Sequence, residues 1–309
     1  MSAAWAGPQA AREQLGRVGV WSSLISRAPA NVALPAAWRI EELGYTALWL
    51  NEGPSLKDPF ASAALVLGTT ERLALGTGIA NIWARDGAAA RNAAYTLGEA
   101  YPGRFTLGLG VSHQPIVDVR GHTYGKPLSA MRSYVDALDA IDWAGPPLAE
   151  PVPLVLAALR PRMLELARDR TTGAIPYLTP VEHTARARSI LGPEPLLAPE
   201  VSVAVEPDPT RARARAREFA RGYLRLPNYT NNLADLGFGD DDVADGGSDR
   251  LLDAIVGWGD ADTVAARVRE HLGAGADHVC VQVVGTDLDG TLRELAELAP
   301  LLIAPASHS

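Results

Sequence analysis

Short apolar runs alternate along this chain with longer segments whose apolar positions recur at helical spacing. The runs occupy residues 17–23 (RVGVWSS), 45–51 (YTALWLN), 73–80 (LALGTGIA), 105–110 (FTLGLG), 152–157, 173–177, 200–205 and 279–284. Helical patterns fall at 34–43, 59–67, 88–101, 127–143, 161–170, 180–191, 210–224, 262–273 and 288–302. Proline suits the first turn of several of these helices, and Gly44 and the Pro102-Gly103 pair stop two of them. Strands joined through helices cannot form hairpins, so the sheet should be parallel. Eight such units in ~250–300 residues favour an α/β fold of the (β/α)8 TIM-barrel type over an open sheet. The whole of 1–309 reads as one domain, with a leader at 1–16. An insertion at 227–259 lies between strand seven and the last helix–strand pair. Its acidic, glycine-rich middle reads as surface loop, and its start (NYTNN) as a segment that folds over the barrel mouth.

In this fold the active site lies at the C-terminal ends of the strands. That rule selects Trp21, Ser22, Asn51, Glu52, Gly78, Ile79, Asn81, Ser112, His113, Ala158, Leu159, Arg160, Tyr177 and Gln282. His113 closes GLGVSH, where a group titrating near neutral pH serves as acid or base. Arg160 opens a helix directly after a strand, and amides there together with a guanidinium suit a phosphate. Gly78-Ile79 followed by Asn81 suggests a bulge that lets backbone press against a flat ligand. Trp21, Trp83 and Tyr177 are expected to wall the substrate pocket.

Composition narrows the class. Of 309 residues 47% are hydrophobic, enough for a large core. The net charge of −8 disfavours a nucleic-acid partner. A single cysteine, Cys280, permits no internal disulfide and suits a reducing cytoplasm. The N-terminal stretch has no basic start followed by an apolar run, and no segment approaches ~18 uncharged apolar residues, so neither a signal peptide nor a membrane span is expected. There is no HExxH or paired Cys/His spacing, no GxSxG, no GxGxxG and no P-loop, so no metal is expected.

The stretch LALGTGIANIWARDGAAARNAAYTLGEAYPGRFTLGLGVSH resembles the strand-three to strand-four region of the luciferase-like flavin and deazaflavin oxidoreductases. PLVLAALRPRMLELARDRTTGAIPYLTP and WGDADTVAARVREHLGAGADHVCVQVV resemble the same superfamily, and LPNYTNNLADLGFGDDD resembles an actinobacterial subgroup that uses the deazaflavin coenzyme F420. The resemblance covers roughly residues 17–302. It implies a hydride-transferring oxidoreductase acting on a small organic substrate, with FMN monooxygenase chemistry fed by a separate reductase as the alternative. A cofactor-binding protein without turnover is the third reading. It further implies a cis Gly78–Ile79 bond behind the cofactor ring and ring contacts from Asn81 and Glu52. The tail phosphate falls near Ala158, Leu159 and Arg160. A homodimer through the helices after strands two and three is also implied, for which Ala88, Ala89, Ala90, Ala93 and Ala94 offer a small-residue face. Two positions depart from the deazaflavin sugar-phosphate dehydrogenase of that superfamily. Gly53 stands where it has histidine, and His113 where it has glutamate.

Overall fold

The computed structural model describes residues 5–303. Its strands are β1 (Val18–Trp21), β2 (Ala47–Leu50), β3 (Ala74–Thr77), β4 (Ala80–Asn81), β5 (Phe105–Gly110), β6 (Leu154–Leu156), β7 (Gly173–Ala174), β8 (Leu196–Leu197), β9 (Glu200–Val205), β10 (Val256–Gly259) and β11 (Val279–Val283). They form one parallel sheet in the order β10-β9-β11-β1-β2-β3-β5-β6-β7-β8, with β4 beside β5. The sheet is strongly curled. Ala198 donates its amide to Ala174 and Glu200 to Pro176, while Cys280 donates to Pro199, so both edges of the curl meet on the single segment that contains β8 and β9.

Helices cover the outside. Asp58, Asp86, Asp208, Asp260 and Asp287 each accept a backbone amide at a helix start, which explains why the βα junctions end where they do. The strands are buried on both faces, as a parallel sheet under helices requires. Between sheet and helices lies the main core. Inside the curl a smaller one gathers Trp21, Trp49, Val155, Ile175, Ala198 and Cys280. Trp49 fits there because its neighbour is glycine: a Cβ on Gly76 would stand 2.2 Å from the indole.

Three regions show more than the sequence reading gave. The leader does not trail free. Residues 8–15 form a helix whose Ala11 and Leu15 are fully buried in the inner core, with Arg12 bonded to Asp277, so it packs across the floor of the curl. Residues 1–4 of that leader lie outside the described part. The acidic stretch near 240 is not a loop. Within 227–259 stand the helices Pro227–Ala234, Asp240–Val243 and Asp249–Ile255, and then β10, a strand that the periodicity did not announce. They fold because Tyr229, Leu233, Phe238, Leu251, Leu252 and Ile255 bury with Ala216, Ala220 and Leu224 of the preceding chain in a second core. Third, Ala90 and Ala94 of the small-residue helix face are fully buried in the main core, while Ala89 is exposed.

At the floor, His278 is buried with both ring nitrogens used. Trp49 Nε1 donates to its Nε2 at 3.2 Å, and its Nδ1 donates to the Gly16 carbonyl at 3.0 Å. Only the neutral ring satisfies both, and burial pulls its pKa down to about 4. Unfolded, the ring titrates near the ordinary value, so the unfolded chain takes a proton that the folded chain refuses. Stability should therefore fall as pH drops from about 6.5 to about 4, by ~3 kcal/mol from this residue. Urea unfolding of the wild type and of His278→Gln across that window tests this. An unchanged pH slope in the variant sinks it.

Candidate active site

The C-terminal ends of the strands open on a cavity of about 330 Å³. Trp21 lines it from β1, Asn51 and Glu52 from the end of β2, Gly78 and Ile79 from the β3–β4 junction. Gly110 to His113 follow β5, Ala157 to Leu159 follow β6, and Ile175 and Tyr177 follow β7. Tyr223, Leu226, Asn228 and Tyr229 complete the wall from the second core.

One side of the cavity is a backbone shelf. Gly76 pairs with Thr106 and Ala80 with Leu109, so four steps on one strand oppose three on the other (80 − 76 against 109 − 106). One residue is extra, which is a bulge. Within it the Gly78–Ile79 peptide is cis. Trp21 Nε1 donates to the Gly78 carbonyl at 3.1 Å, and a Cβ on Gly78 would stand 2.5 Å from that nitrogen. Only glycine lets the indole lie across the bulge. Ile79 in turn sits where a Cβ on Gly110 would be 2.5 Å away.

Glu52 ties this shelf to β2. Its carboxylate accepts the Asn81 amide at 2.7 Å and both terminal nitrogens of Arg85 at 2.8 Å, with Arg120 at 3.5 Å. Arg85 also reaches Asp58 at 2.9 Å. Two charges held this way in a nearly dry pocket persist because each is met by several partners. Asn51 Oδ1 is buried with no hydrogen-bond partner. A buried acceptor without a partner is costly.

A second wall is aromatic. His113 lies 5.4 Å from the Tyr229 ring, which packs edge-on to Tyr223 at 5.4 Å, and Tyr177 stacks on both tyrosines. The Tyr177 hydroxyl is 2.9 Å from Tyr223 Oη and 2.9 Å from Gln282 Oε1. It has one hydrogen, so it donates to the glutamine carbonyl and accepts from Tyr223. Burial raises the pKa of all three phenols, and they stay neutral. Burial also lowers His113, with a hydrogen bond to Asn228 opposing it, so the imidazole is uncharged at pH 7. Ser112 and Leu178, directly beside His113 and Tyr177, both have φ 57, the left-handed region non-glycine residues rarely adopt. Tyr124 donates to the Ser112 carbonyl at 3.1 Å, and Glu200 accepts the Leu178 amide at 3.0 Å, so both turns are pinned. Glu200 is fully buried, and desolvation pushes its pKa up to about 7.

Of the residues singled out in the sequence, Trp21, Glu52, Gly78, Ile79, His113, Ala158, Leu159 and Tyr177 meet around this cavity. Asn81, Trp83 and Arg160 do not line it. Asn81 is buried behind the shelf, where its Oδ1 accepts the Trp83 amide. Trp83 donates to the Val111 carbonyl and packs on His122 and Tyr124. Arg160 is half exposed and pairs with Asp235 at 3.1 Å, and the helix Pro161–Arg170 that it precedes has no side-chain cap. Tyr223, Tyr229, Asn228 and Glu200 were not picked out. Tyr223 ends a helix that reads as an arginine-rich surface element, and only the polar-aromatic start of 227–259 hinted at Tyr229.

A family model described as luciferase-like monooxygenase matches residues 15–278. A protein of Mycobacterium tuberculosis, named for coenzyme F420-dependent oxidoreductase activity, is 28% identical over 205 residues, 64% of this chain and 53% of that one. The matches span about half the length of the curated relatives. A coenzyme F420-dependent tetrahydromethanopterin reductase from Methanopyrus kandleri superposes with a TM-score of 0.71 at 16% identity, over 92% of this chain and 99% of that one. The FMN-bound oxygenating constituent of 3,6-diketocamphane monooxygenase from Pseudomonas putida gives 0.69 at 15%, over 94% and 99%. At these identities the superpositions speak to fold.

Proposed function

Because the chain belongs to the luciferase-like monooxygenase family, we propose that it is an oxidoreductase that exchanges a hydride between coenzyme F420 and a small organic substrate. One observation carries this reading. A backbone shelf at Gly78–Ile79 shares one cavity with an aromatic wall holding a neutral histidine, and Asn51, whose buried Oδ1 has no partner, lines the same cavity. A planar heterocycle carrying a ring N–H fits that donor–acceptor set. The coenzyme supplies, when bound, the hydride donor or acceptor. The residues supply the rest. Gly78 and Ile79 support the ring from behind, Asn51 accepts its N–H, and Glu52 with Asn81 holds the shelf in place. Ala158, Leu159 and Arg160, at the uncapped helix start, receive the tail phosphate. His113 takes the hydroxyl proton when substrate is oxidised and returns it on reduction, while Trp21 and Tyr177 keep water from the reacting face.

His113→Ala should lower kcat ~10²- to 10⁴-fold with the coenzyme still bound. The base acts deprotonated, so wild-type oxidation should be level above pH ~6.5 and decline only below it, at the lowered pKa. Unimpaired turnover in the variant removes His113 from the mechanism.

The family model's description and the FMN-bound neighbour favour a second reading, an FMN monooxygenase served by a separate reductase. The same shelf serves either ring. Titrating the purified protein with each cofactor decides, since micromolar FMN affinity with no coenzyme F420 binding reverses the choice. Binding without turnover on an alcohol, carbonyl and enone panel would instead support a non-catalytic role.

A further inference from the structure

The helix Pro209–Tyr223 carries arginine at 211, 213, 215, 217 and 221, and Arg225 follows one turn after the last of them. The first four are each bonded to a carboxylate: Arg211 to Glu206, Arg213 to Asp249 and Asp253, Arg215 to Glu294, and Arg217 to Asp249. Arg221 and Arg225 are not. Among the described residues neither guanidinium has a hydrogen-bond or ion-pair partner. Both line a second cavity, of about 200 Å³, together with Leu224, Val243, Asp245 and Gly246. The Asp245 carboxylate is also without a partner among the described residues. Two cations and one anion therefore border one small space without meeting.

The backbone around that space is fixed. Asp245, Gly246 and Gly247 have φ of 50, 88 and 109, left-handed at a residue that is not glycine. Such a conformation persists where its surroundings impose it, and it recurs at ligand sites. Here the imposing contact is the helix. A Cβ on Gly246 would stand 3.0 Å from Arg217 Cγ and 3.6 Å from Arg221 Nε. Arg217 bonds the Gly247 carbonyl at 3.2 Å and Asp249 at 2.8 Å. None of the six lining residues belongs to the cavity at the strand ends, although Gly222, Tyr223 and Leu226, interleaved with them, do. The segment 221–226 borders both cavities.

A ligand that joins these three groups needs negative oxygens for the two guanidiniums, which grip oxyanions through several N–H groups at once. It also needs a hydrogen for Asp245, since a carboxylate accepts and cannot donate. Sulfate has the oxygens and no hydrogen, and would meet Asp245 as a like charge. Hydrogen phosphate has both. Its P–O⁻ oxygens accept from Arg221 and Arg225, and its P–OH donates to Asp245.

We propose that Arg221, Arg225 and Asp245 form a binding site for inorganic phosphate, held as hydrogen phosphate, that discriminates against oxyanions lacking a hydrogen. The site stands independently of the hydride-transfer reading, which places a tail phosphate at 158–160.

Phosphorus-31 NMR of inorganic phosphate titrated with the full chain at pH 8 tests the proposal, with sulfate and methyl phosphate as competitors. At that pH inorganic phosphate keeps one P–OH, while methyl phosphate, with a second pKa near ~6, keeps none. Phosphate should bind with a Kd of ~1 mM or tighter. Sulfate and methyl phosphate should bind at least ~tenfold more weakly, for want of the bond to Asp245. Arg221→Ala combined with Arg225→Ala should weaken phosphate at least ~tenfold. Both side chains are exposed, so the unfolding midpoint should not move. Asp245→Asn supplies an arm that gains binding, because an amide can donate to any oxyanion: sulfate should come within ~threefold of phosphate. No phosphate binding at ~10 mM overturns the proposal. So does sulfate as tight as phosphate on the wild type, or a phosphate affinity that survives the double arginine variant.

Discussion

Replacing Glu52 by alanine should cost about 3 kcal/mol of folding stability and at least tenfold in cofactor affinity. The carboxylate side chain is 6% exposed and Arg85 14%, so truncation strands a buried guanidinium and frees the Asn81 amide. Breaking one side of a buried pair generally costs ~3–5 kcal/mol. Asp58, bonded to Arg85 at 2.9 Å but half exposed, recovers part of the lost attraction, which sets the estimate at the lower end. The functional effect follows from what Glu52 holds. Its bond to the Asn81 amide spans from the end of β2 to β4, just beyond the shelf. Urea unfolding and a cofactor titration of Glu52→Ala measure both effects. A loss under ~1 kcal/mol would show that the Arg85–Arg120 cluster does not depend on this carboxylate.

Gly108→Ala should be at least as damaging. A Cβ there would lie 2.0 Å from the Thr77 carbonyl, a backbone atom that cannot swing aside. The same two residues are locked by paired bonds, Thr77 Oγ1 to the Gly108 carbonyl at 2.7 Å and the Gly108 amide to Thr77 Oγ1 at 2.8 Å. Adding a methyl to a well-packed site costs ~1–3 kcal/mol when side chains can give way. Here the backbone itself must move, so we expect ~3 kcal/mol or more. The displaced residue directly precedes Gly78–Ile79, so cofactor affinity should fall with stability. Thermal unfolding and the same titration provide the readouts. Wild-type cofactor affinity in Gly108→Ala would mean that the shelf position is independent of this contact.

The alternation of apolar runs and capped helices was enough to read a parallel α/β sheet, because a strand buried on both faces must be continuous in apolar residues and its crossover must be helical. Gly78 was also legible as a place where backbone lies close to something else. What packs there was not. Trp49 fills the space beside Gly76, Trp21 lies across Gly78, and Ile79 occupies the space beside Gly110. Periodicity records that a face is buried but not by which partner. The leader shows the same limit: among its described residues only Ala11 and Leu15 are fully buried, too few to announce that it covers the floor of the curl.

The chain's own order of residues therefore determined the strand–helix alternation, the glycine-marked bulge and the placing of His113 at a strand end. Tertiary structure alone decided the chemistry around them. Glu52 meets partners from positions 81, 85 and 120, and Tyr177 meets Tyr223 and Gln282, because the curl of the sheet brings the ends of distant strands to one mouth. The second cavity is decided the same way. Arg221 and Arg225 border it with Asp245 because the chain turns back at 245–247 onto the helix that carries Arg221, and local spacing does not record that return.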